Sequence, residues 1–246
     1  MKKSMIAIAA TALCGAVFAT GDVSSGNIVG YQIIEIPVGY SLFTMTFKDI
    51  AGGQYDIQDV KVLASDGTDY EVNNRVKVNK LAANGNYEAT YNYRLSKGGW
   101  CSSATFLGRN VVMFGDGEGL CVYNGDSSAL KLQVSGSVNL TPVSMEIAST
   151  SYRIIGNMTP VAVDIQDVIP YIGSEICSAN NRVKINKILA NGNYGPTYNY
   201  RLSKGGWCQS ATFIGRDAVT LAPGESLCVY NGESDAITLR FPSPID

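Results

Sequence analysis

Asn84-Gly85-Asn86-Tyr87-Glu88-Ala89-Thr90-Tyr91-Asn92-Tyr93-Arg94-Leu95-Ser96-Lys97-Gly98-Gly99-Trp100-Cys101 returns almost unchanged at positions 191–208. On either side of this stretch, residues 72–109 align with 179–216 at an offset of 107 without gaps, and 30 of the 38 positions are identical. Similarity reaches upstream, where 55–60 matches 163–168, and downstream, where 117–125 matches 224–232. A period this long means tandem domains, because solenoid repeats run to only about 20–45 residues. The expected units are 24–136 and 137–246.

Within each copy the pattern is that of strands. Tyr87, Ala89, Tyr91, Tyr93 and Leu95 alternate with Glu88, Thr90, Asn92, Arg94 and Ser96, the period of two that gives a strand one buried face. Val76 and Val78 alternate with Arg75, Lys77 and Asn79 in the same way. Between these runs stands Asn84-Gly85, a hairpin signal because both residues tolerate positive φ. Further strands are expected at 40–47, 111–114, 120–123 and 129–134, separated by turns rich in Gly and Asp. The predicted fold class is all-β: two tandem homologous domains, each a β-sandwich or small barrel.

The first residues read as a leader. Lys2 and Lys3 give a positive end, residues 5–17 are apolar, and Val17-Phe18-Ala19 fits a small-x-small cleavage rule, so 1–19 is expected to be a cleaved signal peptide. Leu13 stands before Cys14 where a lipidation site requires a small residue. The apolar stretch is shorter than the ~20 residues of a membrane span, and no later run approaches one. The expectation is a protein that is secreted or held at the cell surface, the periplasm included, without a transmembrane segment.

Charge and composition narrow the function. Loss of Lys2 and Lys3 leaves 17 basic against 21 acidic residues, a net −4, which argues against nucleic acid as a partner. The chain contains no histidine, which removes the usual general base and the commonest metal ligand. No cofactor and no metal is expected.

A resemblance adds to this reading. Val29-Gly30-Tyr31, Pro37-Val38-Gly39-Tyr40-Ser41-Leu42, the run at 117–124 and Pro223-Gly224-Glu225 resemble an uncharacterised family of secreted bacterial all-β repeat proteins. That family has a Gly-Tyr-Ser-Leu strand early in each unit and a Pro-Gly-Glu-Gly turn late in it; Tyr152-Arg153-Ile154-Ile155-Gly156-Asn157 matches the early motif loosely. The resemblance implies export and β-repeats, and brings no activity or catalytic residues.

Candidate chemistry is concentrated in a few groups. Cys101 and Cys121 recur as Cys208 and Cys228, which points to one disulfide per domain; two buried thiols per domain is the other reading. Cys177 has no counterpart in the first copy, where Tyr70 stands, and reads as a buried thiol or an intermolecular one. Arg75, Lys77 and Arg94, with Arg182, Lys184 and Arg201, gather positive charge in segments of +5 (75–109) and +6 (182–216). That face is a candidate for an anionic polysaccharide, for the acidic surface of another copy, or for another surface protein. Trp100 and Trp207 follow Gly-Gly in a loop and are candidate ligand platforms, whereas the tyrosine rows read as core or as sugar-stacking faces. Asp56 with Asp59, Asp164 with Asp167, Glu118 and Glu225 recur, but they lie in duplicated, turn-like segments, which argues against a glycosidase pair. Asp66-Gly67-Thr68-Asp69 has part of a calcium-loop pattern and lacks the rest. The expected protein is a non-enzymatic one that works by association, with a two-domain carbohydrate-binding module as the alternative.

Overall fold

A computed structural model describes residues 29–48, 54–105, 111–138, 142–211 and 218–243. The expected signal peptide and Cys14 lie outside the described residues. The first half contributes β1 (Val29–Ile36), β2 (Gly39–Thr44), β3 (Phe47–Lys48), β4 (Tyr55–Asp56), β5 (Lys61–Leu63) and β6 (Val76–Leu81). It continues with β7 (Tyr87–Arg94), β8 (Gly99–Ser102), β9 (Met113–Phe114), β10 (Gly119–Asn124) and β11 (Leu130–Val138). The second half begins with β12 (Ser144–Ile147), β13 (Ser151–Gly156), β14 (Val163–Asp164), β15 (Ile169–Ile172), β16 (Glu175–Ile176) and β17 (Val183–Ile188). It ends with β18 (Tyr194–Arg201), β19 (Gly206–Gln209), β20 (Thr220–Leu221), β21 (Ser226–Asn231) and β22 (Ile237–Arg240). The only helical turns among the described residues are short 3-10 segments, so the chain is all-β. β11 runs on to Val138, past the expected boundary at 136/137.

Antiparallel pairing repeats between the halves. The order β2-β10-β6-β7-β8 is matched by β13-β21-β17-β18-β19, and β1-β11-β5 by β12-β22-β15, with β3 added on β11 in the first half and β16 on β15 in the second. The four larger sheets read as a four-blade, propeller-like arrangement of small antiparallel sheets. Each half has its own core. Ile36, Leu130, Leu132 and Val134 meet Phe43, Val78, Val122 and Trp100 in the first; Ile147, Ile237 and Leu239 meet Ile155, Ile185, Val229 and Trp207 in the second.

The alternation predicted for β7 is only partly realised. Tyr93 is buried and Tyr91 half-buried, but Tyr87 is 43% exposed, and Asn92 is buried on the opposite face with its Nδ2 donating to Ser103 Oγ. The Asn84-Gly85 turn is wider than a two-residue hairpin. Ala82 N–H donates to Asn86 O at 2.8 Å and Gly85 N–H to Ala82 O at 2.9 Å, and only Gly85 is left-handed, at φ 84°.

Both tryptophans are core residues, which corrects the expectation that they are ligand platforms. Gly98 and Gly99 hold φ values of 79° and 145°, a tight reversal that lays β8 straight back on β7. Trp100 then pairs with Tyr93 and shares its inward face, at 0% exposure, with the rings edge-to-face at 5.3 Å. Gln58 clamps the backbone on both sides, donating to Trp100 O at 2.8 Å and accepting from Trp100 N–H at 3.0 Å, while Trp100 Nε1 donates to Val60 O at 3.1 Å. Gln166, Trp207 and Val168 repeat the arrangement at 2.9, 3.0 and 2.8 Å. An unpaired buried backbone group costs about 1–3 kcal/mol. Gln58→Ala is therefore expected to lower the unfolding free energy by ~1–3 kcal/mol, and Gln166→Ala by a similar amount, as read from urea midpoints at unchanged m-value.

Candidate functional site

The halves meet through a self-complementary contact centred on β2 and β13. Tyr40 N–H donates to Ala190 O at 2.9 Å, and its counterpart Tyr152 N–H donates to Ala83 O at 2.8 Å. Thr44 N–H reaches Gly224 O at 2.9 Å, and Gly156 N–H reaches Gly117 O at 3.1 Å. Isolated bridges join Phe43 to Glu225 and Ile155 to Glu118. Each of these contacts thus has a mirror, the logic of a two-fold interface within one chain. Its centre is a small buried cluster of Leu42, Cys121, Ile154 and Cys228, ringed by Tyr40, Leu81, Tyr152 and Ile188. Glycines permit the approach: a Cβ at Gly119 would lie 2.4 Å from Ile154 Cγ2, and one at Gly85 would lie 3.0 Å from the Tyr152 ring.

This interface accounts for two of the cysteines, and the predicted disulfides are not formed: all five described cysteines are free and buried. Cys121 lies on β10 and Cys101 on β8, three strands apart in the order β10-β6-β7-β8. At ~4.8 Å per strand that is ~14 Å, about twice the Cα separation a disulfide tolerates. Cys208 and Cys228 are separated in the same way, on β19 and β21. Cys177 is likewise no intermolecular bridge here; it is 1% exposed and its thiol donates to Glu233 Oε1 at 3.3 Å.

Burial raises three of these thiols. It pushes Cys228 up to about 11, against a weaker opposing hydrogen bond with Tyr194. Burial, with the Glu233 carboxylate next, pushes Cys177 up to about 11, and burial also raises Cys121. Tyr87 and Tyr194, beside the interface cysteines, are raised chiefly by burial too. A thiol that holds its proton in the folded state but loses it near 9 when unfolded makes the folded state the better proton binder between those values. Stability is therefore complete below pH ~9 and falls as pH rises toward 11. The denaturation midpoint is expected to decline across pH 9–11, and Cys177→Ser with Cys228→Ser to flatten that decline.

The recurring carboxylates are engaged in local structure. Asp56 Oδ1 accepts from Gln58 N–H and Val112 N–H, both at 3.1 Å, and Asp164 accepts from Gln166 N–H at 3.0 Å. Glu118 takes Lys80 Nζ at 3.0 Å and Gly115 N–H at 3.0 Å; Glu225 takes Lys187 Nζ at 2.6 Å and Ala222 N–H at 3.1 Å. Asp66 closes a turn by accepting from Thr68 N–H and Oγ1, and these hydrogen bonds lower its pKa. Among the described residues no three His, Cys, Asp or Glu side chains group to hold a metal, and no helix is long and apolar enough to cross a membrane.

The register places Lys77 and Arg94 on one face, because Lys77 pairs with Asn92. Their positive groups have local partners. Arg94 Nε donates to Asn74 Oδ1 at 2.6 Å, Arg75 donates to Gly125 O at 3.2 Å, and Lys77 Nζ sits 5.7 Å from the Tyr123 ring centre. Arg201, Arg182 and Lys184 repeat these contacts with Asn181, Gly232 and Tyr230.

The feature that sequence reasoning missed is a cleft of about 610 Å³ between the halves. One wall is β1 and its exit, residues 31–37; the other is formed by Lys187, Ile188 and the turn at 222–226. Leu42, Phe43 and Phe47 line the space between them. Gln32 Nε2 spans the gap to Pro223 O at 3.0 Å, and Asn124 Nδ2 fixes the end of β1 through Ile36 O at 3.1 Å. Ser41 Oγ and Ser226 Oγ are buried in the wall without a hydrogen-bond partner. The halves differ here. β1 has eight residues against four in β12, and the additional residues include Tyr31 and Gln32 of the wall. No protein-family model, curated protein or solved structure matches the chain.

The glycine at the contact offers a direct test. Gly119→Ala is expected to lower stability by ~1–3 kcal/mol through overpacking against Ile154, measurable as a lower melting temperature.

Proposed function

We propose that this chain is an exported, non-enzymatic protein that works by association, as a component of a cell-surface or extracellular assembly. We read it as two tandem homologous β-domains, each a sandwich or small barrel, that divide after β11, with the two sheets of each half supplying two of the four blades. Support for export comes from the leader-like sequence at 1–19 and from the resemblance to secreted β-repeat proteins. Support for a non-catalytic role comes from the repeated acids, whose oxygens serve as caps and ion-pair partners of the fold.

The observation that carries the reading is β1. It pairs with β11 alone among the described residues and lies at the edge of its sheet, with Tyr31 60% and Ile33 45% exposed on its outward face. A long, exposed, apolar edge strand is a template for pairing with another chain unless something covers it. Its partner is a second copy or another surface protein. The carbohydrate-module alternative loses its tryptophan platforms, because Trp100 and Trp207 are buried and present no stacking face.

Light scattering over a concentration series tests this. The mature protein is expected to assemble, with or without reductant since the thiols are buried, and Tyr31→Lys with Ile33→Lys is expected to weaken assembly at least 10-fold. A strict monomer at high concentration that also captures no surface protein overturns the reading.

A further inference from the structure

We propose that the cleft between the halves receives an extended peptide segment of a partner protein, which adds a strand to the free edge of β1 and sends alternate side chains into the cleft. The inference rests on the reading that the protein works by association, and it names the form in which the partner is presented.

Three observations combine. First, the edge of β1 is unpaired among the described residues, so its outward N–H and C=O groups stand available for a further strand. Second, the cleft follows that edge closely: seven consecutive residues, 31–37, line it. At ~3.4 Å per residue they offer a track of about 20 Å, room for a strand of six or seven residues. Third, the space beside the track is walled by the apolar side chains of Ile34, Phe43 and Phe47 with Ile188 and Pro223, and the Gln32–Pro223 hydrogen bond that crosses it is the contact an entering strand replaces. Its volume of about 610 Å³ lies in the range of ligand sites.

The mouth favours a neutral segment. The Lys187–Glu225 pair at 2.6 Å is already neutralised internally, and Glu35 adds a single acid to the β1 side. An alkyl chain would also suit the apolar walls. It would leave the main-chain groups of the edge without partners, whereas a peptide strand satisfies them. Main-chain bonds then provide affinity, and the cleft selects the side chains at every second position.

The test uses the full mature chain and fluorescein-labelled octapeptides with valine, leucine or phenylalanine alternating with threonine between lysine ends. Fluorescence anisotropy is expected to show saturable binding for at least one of them. Only one edge of an added strand faces β1, so N-methylation at alternate residues is expected to reduce affinity at least 10-fold in one phase and to be tolerated in the other. Ala222→Trp at the rim is expected to weaken binding similarly without lowering the melting temperature. Equal binding of both N-methylated phases overturns the proposal, as does saturable binding of palmitate with none of the peptides. If no peptide binds while assembly still depends on Tyr31 and Ile33, strand addition in the cleft is wrong and association stands; loss of both removes both readings.

Discussion

A sheet face that is apolar at one end must be covered, and here each copy of the duplicated sequence covers the other. Leu42 and Cys121 lie against Ile154 and Cys228, while the backbone of each half hydrogen-bonds to the hairpin of its mate. Because both copies place equivalent, though not always identical, residues at the contact, one favourable contact implies its mirror. The rest of the arrangement follows from that contact. It brings the turn at 222–226 opposite β1 and thereby creates the cleft.

Much of the fold is legible in the sequence. The duplication is plain, the β-class follows from alternating runs such as Val76–Leu81, and Gly85 marks its turn by its left-handed φ. The tryptophans and cysteines were misplaced for a common reason. Spacing along the chain does not reveal sheet order, and β8 sits three strands from β10 although the chain returns between them by a short route. A Trp after Gly-Gly looks like a loop residue, but the two glycines make so tight a reversal that the next residue is already in register with Tyr93.

The site was harder to read than the fold. In β1, Ile33 and Ile34 are adjacent, so the polar–apolar alternation that marks a half-buried strand fails there. It fails because the outward face is apolar as well, which is the property that gives the strand its interest. The contact between halves left a subtler trace: identity extends over Ala-Asn-Gly-Asn, a surface hairpin whose residues lie outside either core. A self-complementary interface needs the same surface on both copies, and that is where the retained identity falls. The cleft also depends on the greater length of β1 than of β12, which no repeat comparison brings out.

The absence of cross-links among the five described cysteines bears on how the chain must mature. In the folded state every one of these residues is buried. Before folding all are open to oxidants, and a bridge within either half, Cys101 to Cys121 or Cys208 to Cys228, would join positions that the finished sheets hold far apart. Wherever this protein folds in an oxidising space, its yield is set by a race between β-sheet closure and sulfur oxidation.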